Sequence, residues 1–319
     1  MRGNKLFRLV LALVIVAVLP VTAMGAFLIG PDYAGSYSAI SLGSVPGVSP
    51  LYGGIAFENP STLLIGGFAN TPSGEIYSIG VIRGAGGHIT GFSGTASILS
   101  DGAYNDGGLQ YGPGGVLFYT QYPYNNIGEI KPGSSTTNKV VNLTGLVTSS
   151  VGALAFVPAG FPGAGQFKIV SYSGGGWYTA TLTPDGSGTY NIASATLNVT
   201  PGGGPEGIAY VPLGSALFPS PSILLAEYGS GEVVSFQVDS NGNPILATDK
   251  IFMSGLSGAE GAVIDPVTGD FLFSTFGGGN QVIEVTGFAS PVVPLPPSML
   301  LLGSGLLGII GIGRKIKRN

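Results

Sequence analysis

The chain has 319 residues, and its 56 Gly and 23 Pro make up about a quarter of them, against roughly 12% in average proteins. It holds no Cys, one His and one Trp, which excludes disulfides, thiolate nucleophiles, Fe–S clusters and any two-His metal site within one chain. The Gly has no collagen period, and 44% apolar with 10% aromatic residues is too hydrophobic for disorder, so Gly and Pro serve turns in an all-β fold.

Residues 1–26 read as a secretory signal peptide. Arg2, Lys5 and Arg8 precede an apolar run from Leu9 to Leu19, then Pro20 and small residues, with Ala23 or Ala26 as the cleavage position. Eleven apolar residues fall short of the roughly 20 that span a bilayer. Four more basic residues, Arg314, Lys315, Lys317 and Arg318, crowd the other end. That leaves five in the body against all sixteen acids. So acidic a body repels phosphate backbones and argues against nucleic-acid binding.

Residues 27–290 form one domain built from a repeat. The clearest copy runs Pro205-Glu206-Gly207-Ile208-Ala209-Tyr210, then Ser222 to Tyr228, a Gly-rich turn, and Glu232 to Val238. Aligning Ile55, Leu109, Leu154, Ile208 and Ala262 gives five copies of about 53 residues. In each, a second strand ends near an aromatic: Phe68, Tyr122, Tyr172, Tyr228 or Phe276. Third strands begin near Glu75, Glu129, Trp177, Glu232 and Gln281. Four antiparallel strands per unit at this period predict a β-propeller of five four-stranded blades; the six-bladed alternative needs a copy that is not found. The fifth copy runs out after three strands, while Ser36–Gly43 lacks a blade of its own. The N-terminal strand is therefore expected to pair near Gln281–Val285 and close the ring. The motif Pro205–Ala209 resembles NHL-type and gluconolactonase-like propellers.

Propellers bind ligands at the axial mouth, where strand ends converge. Glu206 and Glu260 hold equivalent positions before neighbouring first strands, Asp106 lies one residue from the matching place, and Glu227 ends a second strand. These four carboxylates are the candidate ligands for a hard cation, Ca²⁺. The propeller resemblance implies a metal-ligating Glu at the position of Glu206 and Glu260. No catalytic residue is assigned. His88, in the run Gly84-Ala85-Gly86-Gly87-His88, reads as a surface-loop or strand histidine, and Asp239–Asn243 as a hairpin turn.

Residues 291–319 form a terminal segment. Val293-Pro294-Leu295-Pro296-Pro297-Ser298 leads into fifteen uncharged residues, Met299 to Gly313, and then the basic tail from Arg314 and Lys315. A helix over about 298–313 spans only some 22 Å of a roughly 30 Å hydrocarbon core, which suits a transient anchor. By the positive-inside rule both termini stay cytoplasmic and the body is exported. The three elements in this order closely resemble the PEP-CTERM sorting signal, in a variant with Leu295 where the family's usual Glu stands. That resemblance implies an exosortase-type processing enzyme as partner, transient inner-membrane anchoring, and a Gram-negative cell surface bearing exopolysaccharide. The leading expectation is an extracellular structural or binding component that contacts exopolysaccharide through exposed aromatics such as Trp177 and Tyr178. The alternatives are a Ca²⁺-dependent propeller enzyme of lactonase or lyase type, and a surface protein-interaction platform.

Overall fold

Short apolar runs separated by Gly-rich turns give strands with both faces hydrophobic, and such strands must be covered on both sides. A computed structural model of the protein describes residues 27–291, and within them the chain folds as five sheets in a ring. The signal peptide expected at 1–26 lies outside the described residues. So does the sorting segment from residue 292 onward, with Val293, Pro294, Pro296, Arg314 and Lys315.

Two strands precede the blades, β1 (Leu28–Ile29) and β2 (Ser38–Gly43). Blade 1 consists of β3 (Ile55–Asn59), β4 (Thr62–Gly67), β5 (Glu75–Arg83) and β6 (Ile89–Asp101). Blade 2 consists of β7 (Asn105–Tyr111), β8 (Leu117–Gln121), β9 (Asn126–Ile130) and β10 (Lys139–Asn142). Blade 3 follows with β11 (Val151–Phe156), β12 (Phe167–Ser171), β13 (Trp177–Pro184) and β14 (Tyr190–Val199). Blade 4 has β15 (Pro205–Tyr210), β16 (Ser222–Glu227), β17 (Glu232–Gln237) and β18 (Lys250–Ser254). Blade 5 contributes β19 (Ala259–Ile264), β20 (Phe271–Thr275) and β21 (Val282–Thr286). The first strand of every blade packs against the first strands of its two neighbours around the axis.

The ring closes as the repeat count requires. Strand β2 pairs antiparallel with β21, from Ser38 opposite Thr286 to Gly43 opposite Val282, and completes blade 5. Two details differ from the sequence expectation. The third strand of blade 2 begins at Asn126, three residues before Glu129, because the hairpin Tyr122–Asn125 takes only four residues. Strand β1 adds a fifth, outer strand to blade 4, with Leu28 opposite Ser254 and Ile29 opposite Met253. Two residues are too short a run to stand out from a signal-peptide boundary.

The core is divided among the five seams between blades. Along β4, Leu63 and Ile65 face blade 5 while Leu64 faces blade 2. Along β16, Ile223 and Leu225 face blade 3 while Leu224 and Ala226 face blade 5. The period of two therefore serves two hydrophobic faces at once. This overturns the exposed-aromatic expectation. Trp177 is completely buried in the seam of blades 3 and 4, its indole N–H donating to Asn243 at 3.2 Å, and Tyr178 is buried on the opposite face. Neither is available to a polysaccharide.

Candidate metal centre

Position in the repeat brings the acids together. Strands β7, β15 and β19 start at the same mouth of the axial channel, and the Asp106, Glu206 and Glu260 carboxyls there lie within 4.8 Å of one another. The local cause is a recurring bulge. Pairing skips from Asn105 to Leu109, from Pro205 to Gly207 and from Ala259 to Ala262. An extra residue at the start of an inner strand re-aims its side chain, here toward the axis. At the matching place, blades 1 and 3 carry Gly53 and Gly152. A Cβ on Gly152 would sit 2.8 Å from a Glu206 carboxylate oxygen. Two glycines thus leave room for three acids.

All three are almost fully buried, at 2%, 3% and 1% exposure. Burial pushes the Asp106 carboxyl up to about 7. Burial, reinforced by the neighbouring acids, drives Glu206 and Glu260 well above the usual carboxylate range. Among the described residues no basic side chain answers them. Asn70, its amide turned to donate, reaches Asp106 Oδ1 at 3.1 Å, but Asp106 Oδ2 and Glu206 Oε2 have no partner. Three ionised carboxyls so placed are untenable without protons or a cation among them. The donor set, all hard oxygens with two left over, fits Ca²⁺.

Glu227 is not part of this group. It closes β16 at the same mouth, but its Oε2 accepts from Ser230 Oγ at 2.9 Å within its own hairpin, and burial pushes it up to about 7. A turn role accounts for it.

Above the triad stands an arc of aromatics. The backbone N–H of Tyr122 donates to Tyr104, that of Tyr172 to Ser150, that of Tyr228 to Gly204 and that of Phe276 to Gly258. Each acceptor lies two residues before the bulge position of its own blade, so one repeated hydrogen bond sets all four rings at the triad's mouth. In blade 1 the matching bond, two residues before Gly53, is made by Ala69 N–H to Leu51, with Phe68 N–H bonded one residue earlier to Pro50. Successive rings meet edge to face, with centroids 6.2 Å apart for Tyr122–Tyr172, 6.0 Å for Tyr172–Tyr228 and 6.1 Å for Tyr228–Phe276. The Glu206 and Glu260 charges are close enough to raise the Tyr172 and Tyr228 hydroxyls, after desolvation. Sequence reading found these aromatics as strand ends and assigned them no role. It missed Asn70, whose only signal is its place two residues after Phe68. From the opposite mouth an apolar cavity of about 490 Å³, walled by Tyr111, Phe156, Tyr210 and Ile264, runs inward to Gly107, next to Asp106.

No protein-family model and no curated protein sequence matches the chain. Among solved structures it is similar to a calcium-containing carbohydrate-active enzyme of family AA12 from Trichoderma reesei, at 10% identity over 84% of this chain and 98% of that one, TM-score 0.47. The PQQ domain of pyranose dehydrogenase from Coprinopsis cinerea matches at 10% identity over 82% and 97%, TM-score 0.44. A gluconolactonase from Xanthomonas campestris matches at 14% identity over 81% and 82%, TM-score 0.45. At such identities the likeness is one of fold and extends no chemistry to this chain. The five-bladed ring rests on this chain's own sheet pairing.

Proposed function

We propose that the protein is an exported propeller that holds one Ca²⁺ ion in the Asp106–Glu206–Glu260 triad and uses it, beneath the aromatic arc, to bind a hydroxyl-rich ligand of saccharide type. The observation that carries this reading is the pair of unpartnered carboxylate oxygens, on Asp106 and Glu206, within a fully buried triad that has no basic neighbour. Sugar hydroxyls suit such an ion as ligands, and the flat faces and edges of Tyr172, Tyr228 and Phe276 suit a sugar ring. Calorimetric titration of the full chain, kept in mild detergent and freed of metal by chelation, should give one Ca²⁺ per chain. The variants Glu206→Gln and Glu260→Gln should each bind at least tenfold more weakly. Wild-type protein that takes up no Ca²⁺ would refute the centre.

A second reading is metal-dependent catalysis of lactonase or lyase type. Ca²⁺ takes six to eight oxygens, so three carboxylates leave coordination positions for water or a substrate oxygen. The observation favouring it is the arc of aromatic rings that stands over the triad at the same mouth. Lactone turnover that requires Ca²⁺ and falls with Glu206→Gln would select this reading over binding alone.

The sorting segment completes the proposal. Val293-Pro294-Leu295-Pro296, the apolar run to Gly313 and the basic tail support delivery to the surface of a Gram-negative cell through an exosortase-type enzyme, with exopolysaccharide as the surrounding matrix. In the native host the surface protein should end near Pro291, about 3 kDa short of the anchored form for the 28 residues that follow, at roughly 0.11 kDa per residue. Mass spectrometry of the C-terminal peptide decides. Asn319 intact in mature surface protein would leave a plain tail anchor.

A further inference from the structure

A second polar cluster lies on the blade 1–blade 5 seam, away from the axial mouth and on different residues. His88 follows the short helical turn Ala85–Gly87 in the β5–β6 connection, and Asp270 immediately precedes β20. His88 Nδ1 and Asp270 Oδ2 are 2.6 Å apart, and Thr268 Oγ1 donates to the same oxygen at 2.7 Å. Glu284, on β21, accepts the Ile89 N–H through Oε1 at 2.8 Å. The imidazole nitrogen and the two carboxylates offer ligand atoms within 4.8 Å of one another.

Two observations point beyond a simple ion pair. Asp270 and Glu284 are both fully buried, and each keeps one carboxylate oxygen, Asp270 Oδ1 and Glu284 Oε2, with no hydrogen-bond partner. The nearby cation Arg83 is already spent, held in a two-pronged contact with Asp265 at 2.6 and 3.0 Å. Two buried carboxylates therefore face one half-exposed imidazole, and negative charge is left over. Burial pushes the Glu284 carboxyl up to about 7, the response of a group that lacks a cation.

We propose that His88, Asp270 and Glu284 form a second metal site, for a borderline divalent ion of the Zn²⁺ class, which rivets the first blade to the last across the ring closure. Imidazole with two carboxylates is a donor set for Zn²⁺, whereas the all-oxygen triad at the axis suits Ca²⁺. The shared proton between Nδ1 and Asp270 gives way to the ion. Ligands at 2.0–2.2 Å from zinc need a wider separation than 2.6 Å, so one ligand must draw back by roughly half an ångström. His88 is the one able to do so. It sits in a surface loop behind Gly86 and Gly87, both at positive φ, while Asp270 and Glu284 are fixed in the blade. The exposed side of the imidazole leaves the fourth position to water.

His88 is the sole histidine of the chain, which makes the test unambiguous. The full-length protein, prepared without a polyhistidine tag and stripped of metal, is titrated with ZnCl₂ while its imidazole resonances and melting temperature are followed. One equivalent should shift the single set of imidazole signals and raise the melting temperature. In His88→Ala and Asp270→Asn the thermal shift should disappear, and in Glu206→Gln it should persist. Imidazole signals that do not move, or a zinc effect that survives His88→Ala, would overturn the site. Loss of the effect in Glu206→Gln would also do so, by placing the zinc at the axis.

Discussion

Without a bound cation, the protein is expected to lose thermal stability as pH rises from about 4 through 7, and Ca²⁺ should restore the part owed to the axial triad. Asp106, Glu129, Glu227 and Glu284 are each pushed up to about 7 by burial, from ordinary values of 3.8 for Asp and 4.5 for Glu. A carboxyl whose folded pKa is raised keeps its proton in the fold at a pH where the unfolded chain has lost it. The fold then binds more protons, so stability is full below the unfolded value and drains away until pH passes the folded one. Glu206 and Glu260, shifted in the same direction, extend the decline to higher pH. A Ca²⁺ ion at a hundred times its dissociation constant adds about 2.7 kcal/mol, or roughly 5–10 °C for a domain of this size. The expected pair of curves is a falling melting temperature between pH 5 and 8 in chelator and a shallower fall in Ca²⁺, because Glu129, Glu227 and Glu284 lie outside the axial group. Melting temperatures independent of both pH and Ca²⁺ would remove the basis for the axial centre.

Deleting residues 27–45 should leave a protein that unfolds or self-associates. The deletion removes β2 and so exposes β21 as an unpaired edge beside a blade that has lost its partner, a template for pairing between chains. It also withdraws Tyr33 and Tyr37, buried at 4% and 5% exposure against Phe218, Phe252 and Phe288. Emptying an aromatic site costs about 3–5 kcal/mol, and two such sites approach the whole 5–15 kcal/mol by which a domain is stable. Tyr37→Ala separates the two effects, because it empties one site and leaves the ring closed. It should lower stability, as read by urea unfolding, and remain monomeric in light scattering. A deleted protein as monomeric and stable as the intact one would contradict the closure.

Much of the ring was legible in the chain because each blade repeats the same sentence of strand, aromatic, Gly turn and strand. The incomplete fifth copy and the orphan strand at Ser36–Gly43 together specified the closure. Solvent exposure was not legible. In an ordinary sheet alternate residues face water, but here both faces of each blade meet a neighbour, so Trp177 and Tyr178 went inward on opposite sides. The axial acids were legible as a repeat position, yet the bulges that turn them inward leave no mark in composition. Glu227 had the right residue type at the right mouth and was claimed by Ser230 instead. His88 and Asp270 stand 182 residues apart, and only the closing of a ring makes them neighbours. The run Gly84–Gly87 gave only a surface-loop or strand reading and said nothing of a partner.

Pro291 lines the apolar cavity, which opens at the end of the channel opposite the carboxylates. The chain therefore leaves the ring through the back of the dish, with the aromatic arc on the front. Under the proposed anchoring, a tether continuing from that point would hold the propeller like a lamp on its stem, its aromatic face turned outward to the medium and its greasy face toward whatever it is fixed to. Orientation at a surface would then follow from where the last blade ends.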